Sequence, residues 1–162
     1  MSDLQRINDE IFPQVFGLLP SAMDSVAARA MLLAIGLQES RFEHRVQIGG
    51  PAHGYWQFEQ GGGVVGVMSH PAVKERTRAV CGFRGVAFSA PQIYSAIVND
   101  DVLACCCARL LLYTLPGRLP NQDERELGWA QYTEAWRPGM PHRQTWDAFF
   151  DLGWKTALGD SQ

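Results

Sequence analysis

The segment LLAIGLQESRF, residues 32–42, constrains the chain more than any other. Val26, Ala30, Leu33, Ala34 and Leu37 recur at helical spacing, and Met31 and Ile35 widen the apolar stripe. A stripe that wide predicts a helix buried on most of its sides, from a cap at Ser21 or Asp24 to about Glu39. A chain of 162 residues is long enough for one core and short for two, so the reading is a single domain, 1–162, built around this helix. The run then ends in Gln38-Glu39-Ser40-Arg41 with no turn residue between. A carboxylate at the end of such a helix is either solvated on the outer face or placed in a cleft.

The rest of the chain reads as further helices around that one. Leu4, Ile7, Ile11 and Val15 predict a helix over 4–16, stopped by Gly17 and Pro20. Residues 43–63 are broken by Gly49-Gly50-Pro51 and Gly54, with Tyr55-Trp56-Gln57-Phe58 a short strand or turn and Gln60-Gly61-Gly62-Gly63 a loop. Helices are expected over 70–80, behind Pro71, and over 91–97, with loop across 82–91. Asn99-Asp100-Asp101 marks the start of a helix to Leu115 with a core-like face at Val102, Cys106, Leu110 and Tyr113. Asn121 is placed to cap a helix from Gln122 to about Glu134, and residues 142–157 form the last, burying Trp146, Phe149, Phe150 and Trp154. The fold class is mainly α, with a short β-hairpin or irregular segment in the middle.

Composition closes off several functions. Acidic residues outnumber Lys and Arg, for a net charge of −3, so there is no basic footprint for nucleic acid. The longest apolar stretch, Ala30–Leu37, is far short of a membrane span, and no membrane insertion is expected. The N-terminus MSDLQRINDEIF mixes acids among apolar residues, unlike a secretory leader, so synthesis in a host cytoplasm without a signal peptide is expected. His44, His53, His70 and His142 show no metal-ligand spacing, and adjacent residues in the Cys105-Cys106-Cys107 run point about 100° apart on a helix. No metal and no cofactor is expected, and the cysteines read as small buried core residues. Cys81 offers a nucleophile, but nothing beside it in sequence supplies a base.

Glu39 is the residue with chemistry to do. Apolar neighbours and the negative end of its helix both disfavour ionisation, and a carboxylic acid that stays protonated near neutral pH is what acid-catalysed bond cleavage needs. Eighteen residues further on comes Gln57, in Gly54-Tyr55-Trp56-Gln57-Phe58-Glu59. Its flat aromatics suit sugar rings, and its amide suits hydroxyl and acetamido groups. A third stretch, LGWAQYTEAWRPG at 127–139, sets Trp129, Tyr132 and Trp136 at roughly helical spacing, the two tryptophans reading as core.

Together these residues resemble the lysozyme-like superfamily, in its soluble lytic transglycosylase and goose-type lysozyme branch. Glu39-Ser40-Arg41-Phe42 is similar to that branch's Glu-Ser motif. Gly54-Tyr55-Trp56-Gln57 resembles its Gly-Leu-Met-Gln motif, with Tyr and Trp replacing Leu and Met. Ala130-Gln131-Tyr132-Thr133 resembles its Ala-Tyr-Asn-x-Gly segment, with Thr133 where Asn is usual and Arg137-Pro138-Gly139 where the glycine-containing turn falls. The resemblance spans about 30–140 and implies a lysozyme-like fold and cleavage of the β-1,4 bond between N-acetylmuramic acid and N-acetylglucosamine in peptidoglycan. It implies Glu39 as catalytic acid/base, Ser40 orienting it or contacting the sugar, Gln57 and Tyr132 lining the cleft, and Tyr55 and Trp56 shaping its wall. The absent leader suggests a phage-encoded endolysin or virion component, acting on glycan strands as a monomer.

A single acid permits the lytic reaction, which ends in a 1,6-anhydro sugar. A second carboxylate about 5–9.5 Å away permits hydrolysis. Glu59 is the leading candidate for it, with Glu43, Asp100 and Asp101 behind. The rival from another class is a non-catalytic cell-wall-binding or virion structural protein on the same scaffold.

Overall fold

Apolar periodicity becomes helix along most of the chain, and the computed structural model, which describes residues 1–159, is mainly α. The first stretch is α1 (Asp3–Arg6), a π-helical turn (Ile7–Ile11) and α2 (Phe12–Leu18), joined without a break in right-handed helical backbone. The wider turn sits directly before Pro13, which has no N–H for the helical ladder. Ile7, Ile11 and Val15 are buried, as their spacing predicts.

The central helix is α3 (Val26–Ser40), and every residue from Ala30 to Leu37 is buried. Its cap is Ser25, whose hydroxyl accepts from the Ala28 amide at 3.0 Å, rather than Ser21 or Asp24. Asp24 instead holds Arg29 at 2.8 Å, and residues 21–23 make a separate 3-10 turn. Val26, the first residue of α3, stays 42% exposed, although Ala28 in the same turn is buried.

Residues 43–63 take the irregular form, with isolated antiparallel bridges Val46–His53 and His53–Phe58 in place of a hairpin. The expected loop at Gln60 is a π-helical turn, Gln60–Val64, leading into α4 (Val65–Ser69). Next come α5 (Lys74–Arg84) and α6 (Ala90–Ala96). α5 passes through Gly82 and stops only at Gly85, whose φ of 68° ends the helix in the left-handed region.

α7 (Asp101–Tyr113) is a second buried helix, capped by Asp100 accepting from the Leu103 amide at 3.0 Å. Cys105, Cys106 and Cys107 are packed in it, and burial pushes each thiol up, Cys106 to about 12. Burial raises Cys81 as well, which removes its promise as a nucleophile. Tyr113 is 47% exposed, a correction to the expected core face: the helix ends there, at the edge of the core. The buried Asp101 carboxylate receives Arg6 at 2.5 Å and Arg45 at 2.8 Å, tying α1 and the irregular segment to α7.

α8 (Arg125–Trp136) begins later than Gln122, because Glu124 is occupied by Arg118 at 2.6 Å and by the Asn121 amide at 2.8 Å. α9 (Arg143–Ala157) buries Trp146, Phe150 and Trp154, while Phe149 is half-buried. Its pairing with α3 is the most extensive helix contact. Among the described residues no helix is long and apolar enough to cross a membrane.

Gly153 is where α9 meets α3. A Cβ there would lie 2.6 Å from the Ala30 carbonyl oxygen and 3.0 Å from the Ala34 nitrogen, both backbone atoms that cannot step aside. Gly153→Ala should therefore destabilise by about 1–3 kcal/mol, although alanine is the better helix former by up to about 1 kcal/mol. Denaturant unfolding checks this; an unchanged or raised stability would show that the two helices have room to separate.

Candidate active site

The site is assembled from the three segments that carry chemistry in the sequence, and hydrogen bonds join each to the others. α3 delivers Glu39 in its last turn and ends at Ser40. Arg41 and Phe42 follow with φ of 56° and 55°, both left-handed, so the chain reverses at once. The Ser40 hydroxyl holds that reversal. It accepts from the Phe42 amide at 3.1 Å and donates to the Tyr55 carbonyl at 2.7 Å. The Phe42 ring folds back over Gly36, where a Cβ would collide with it, and stands edge-on to Tyr55 and Trp56 at 5.4 and 5.6 Å.

The second segment is a tight turn. Gly54 has φ of 78°, and a Cβ there would come within 2.9 Å of the Ile97 carbonyl oxygen, so both its conformation and its surroundings require glycine. The turn closes with the Gln57 amide donating to the Gly54 carbonyl at 3.0 Å. Gln57 itself is left-handed, with φ of 53°, and its side-chain Nε2 donates to the same carbonyl at 2.9 Å. A non-glycine residue held in that region costs energy, and here it sets an amide on a cleft with no partner for its oxygen among the described residues.

α8 supplies the third segment. The Tyr132 hydroxyl donates to Glu39 Oε1 at 2.6 Å, and one turn on the Trp136 indole donates to the Trp56 carbonyl at 2.8 Å. The Trp56 indole in turn donates to the Leu32 carbonyl of α3 at 2.8 Å. Behind Glu39 the Tyr132 ring lies parallel to Trp146 of α9, 5.3 Å between centroids and 7° between planes. Gly128 makes room for this stack: a Cβ there would sit 2.7 Å from the Phe150 ring.

These contacts surround a cleft of about 620 Å³, lined among others by Glu39, Gln57, Glu59, Tyr132, Trp136 and Arg137. Glu39 is largely buried on this lining, and burial pushes its carboxyl up to about 7, with the Tyr132 hydrogen bond pulling the other way. Tyr132 is held well above its ordinary value by burial and by Glu39, so it remains a donor. The arrangement can keep a proton on a carboxyl group at neutral pH and, once that proton is given away, stabilise the carboxylate through Tyr132.

Other expected site residues are placed differently. Ser40 and Tyr55 are buried behind the wall and do not line the cleft, because the Ser40 hydroxyl is spent on backbone and Tyr55 packs between Phe42 and the Arg45 guanidinium, 4.4 Å from its ring. Trp56 is buried too and backs the wall through its carbonyl. Glu43 falls beyond the helix end, exposed and off the lining, while Asp100 and Asp101 are taken up by the α7 cap and by arginines. Glu59 lies on the lining, exposed. Gln38, Trp136 and Arg137 also line the cleft. Trp136, read as core from the sequence, is a correction: it is only part-buried and lines the cleft, and the signal that placed it there was its position four after Tyr132, one turn along the same face; Arg137 carried no signal beyond being a cation next to a turn. Among the described residues no group of three His, Cys, Asp or Glu side chains is placed to hold a metal ion.

The raised Glu39 pKa has a stability consequence. A carboxyl near 7 when folded and 4.5 when unfolded binds more protons in the folded state between those values, so stability falls as pH rises through that window. Glu39→Gln removes the penalty and keeps an oxygen for Tyr132. Above pH 7 the variant should be more stable than the parent, by up to about 3 kcal/mol, and below pH 4.5 the two should converge. Urea unfolding at several pH values reads the difference; a gap that does not change with pH would mean that Glu39 is not held protonated.

Compared with protein-family models, with curated proteins and with solved structures, the chain finds no match.

Proposed function

We propose that this chain cleaves peptidoglycan glycan strands at the β-1,4 bond between N-acetylmuramic acid and N-acetylglucosamine, with Glu39 as general acid and then base, on a lysozyme-like scaffold. The observation that carries this reading is the Tyr132–Glu39 hydrogen bond of 2.6 Å on the lining of a cleft, where burial holds the acid's pKa near 7. Tyr132 occupies one carboxyl oxygen, which leaves the other to carry the proton toward the glycosidic oxygen. As the bond breaks, positive charge spreads over the sugar ring and its oxygen, and the new carboxylate faces it.

Two endings are chemically open. In one, Glu39 takes the proton of the muramoyl 6-hydroxyl, whose oxygen attacks the anomeric carbon and closes a 1,6-anhydro ring without water. In the other, Glu59 activates water and the product is a reducing sugar. We favour the first: Glu39 is largely buried on the cleft lining with Tyr132 bonded to it, whereas Glu59 on the same lining is exposed. In a phage, such an enzyme would meet its substrate after release by a lysis system or from a virion.

Mass spectrometry of soluble products from purified peptidoglycan tests this directly. Wild type should release anhydro-muropeptides, Glu39→Gln should lose at least about a hundredfold in rate, and Glu59→Gln should stay active. Reducing products that vanish in Glu59→Gln would establish hydrolysis instead. No release of either kind by the wild type would leave the wall-binding or structural role as the better reading.

The pH profile offers a second check. Activity needs the protonated acid, so kcat/KM should fall as pH rises through about 7. Tyr132→Phe removes a bond that favours the carboxylate, which should move that limb to higher pH and slow turnover by roughly tenfold or more. A limb that does not move would separate Tyr132 from the acid.

A further inference from the structure

Arg137 has no place in the acid–base reading, yet the fold sets it on the cleft. It ends α8 with φ of 49° and ψ of 54°, a left-handed residue whose amide donates to the Thr133 carbonyl at 2.9 Å. Glycine is the residue that fills such a position without strain. Arginine stands there instead, and among the described residues its side chain makes no ion pair, hydrogen bond or ring contact. The arginines of the neighbouring elements are engaged: Arg29 with Asp24, Arg125 with Asp151, Arg143 with Glu126 and Asp147. A cation in the last turn would serve the helix dipole from any side of α8. That need does not account for a left-handed, exposed arginine on the cleft lining.

The charges around it define what it could take. The carboxylates on the lining are Glu39, which burial keeps part-protonated near neutrality, and Glu59; the other basic side chain is His142. Gln38, Gln47 and Gln57 are neutral. An unpaired guanidinium in this setting is a receptor for an anion with planar oxygens, which it binds through two parallel N–H···O contacts. On a glycan strand that anion is found on the muramoyl sugar, as the lactyl carboxylate of a bare strand or the carboxylates of its stem peptide; N-acetylglucosamine carries none.

We propose that Arg137 is a specificity-determining residue that binds a carboxylate on the muramoyl side of the substrate and so sets the register of the strand in the cleft. This rests on the glycan-cleavage reading. The test is therefore a binding measurement on the uncleaving Glu39→Gln protein, which separates the two ideas. Calorimetric titrations would use three soluble strands: peptide-free with the lactyl carboxylate exposed, the same strand with that carboxylate converted to a methylamide, and peptide-bearing. The variant is Arg137→Gly, which suits the left-handed backbone and should fold at least as well, with Arg137→Lys as the charge-conserving partner.

Arg137→Gly should weaken binding of a carboxylate-bearing strand about tenfold and leave the methylamide strand unchanged, and Arg137→Lys should restore part of the loss. A loss confined to the peptide-free strand identifies the lactyl carboxylate; a loss on the peptide-bearing strand identifies the peptide. Equal affinities with and without Arg137 on all strands would overturn the proposal and leave the glycan reading standing. Failure of the Glu39→Gln protein to bind any strand would overturn both.

Discussion

Burial of α3 up to its final turn is the constraint on which the rest of the molecule depends. A helix enclosed over Ala30–Leu37 cannot leave its last carbonyls and side chains to bulk water. Its ending must be satisfied by protein. The Ser40 hydroxyl, the left-handed pair Arg41-Phe42 and the Phe42 ring over Gly36 provide that ending within a few residues. Because Ser40 is committed to the Tyr55 carbonyl, the glycine turn that carries Gln57 is drawn against the same helix end. The geometry of the cleft is thus a by-product of closing off a buried helix.

The same burial sets the chemistry. Glu39 is half-buried at that helix end, so its ionised form is disfavoured, and the hydrogen bond from Tyr132 recovers only part of the lost solvation. An acid poised near 7 is destabilising when ionised, and the aromatic packing behind it offsets the strain: Tyr132 on Trp146, Trp146 on Phe150, and Phe150 toward Trp154. Trp136, bound to the Trp56 carbonyl, closes the ring of contacts between α8 and the turn. The proposed function and the stability cost therefore meet at one residue. The fold tolerates an unfavourable acid because the elements around it are held by contacts that do not involve it.

Much of this is legible in the order of residues. The apolar stripe of α3, the spacing of Ile7, Ile11 and Val15, and the glycine at 54 each follow from local rules in which a single effect outweighs the others. The departures have physical causes of the same local kind. Ser25 took the cap expected of Ser21 or Asp24: Asp24 is paired with Arg29, and Ser21 begins a separate 3-10 turn. α5 ran past residue 80 because Gly82 inside a helix costs less than ending it before Gly85 supplies a left-handed stop. Ser40 and Tyr55 were expected at the site because the family resemblance implied it; which polar atoms are consumed by backbone is settled only when distant segments meet.

From the residues alone came a mainly α chain, a buried central helix, and an acid at its end with an amide eighteen residues on. Periodicity and turn chemistry act over a few residues, so a sequence states them directly. Tertiary structure alone decided that Tyr132, ninety-three positions from Glu39, would donate to it, that Glu59 and not Glu43 would share its cleft, and that Arg137 would line the same space with no side-chain partner among the described residues. Those outcomes depend on how α3, α8 and the irregular segment pack, and so does the pKa of Glu39, because desolvation is a property of everything that surrounds a group rather than of its neighbours in the chain.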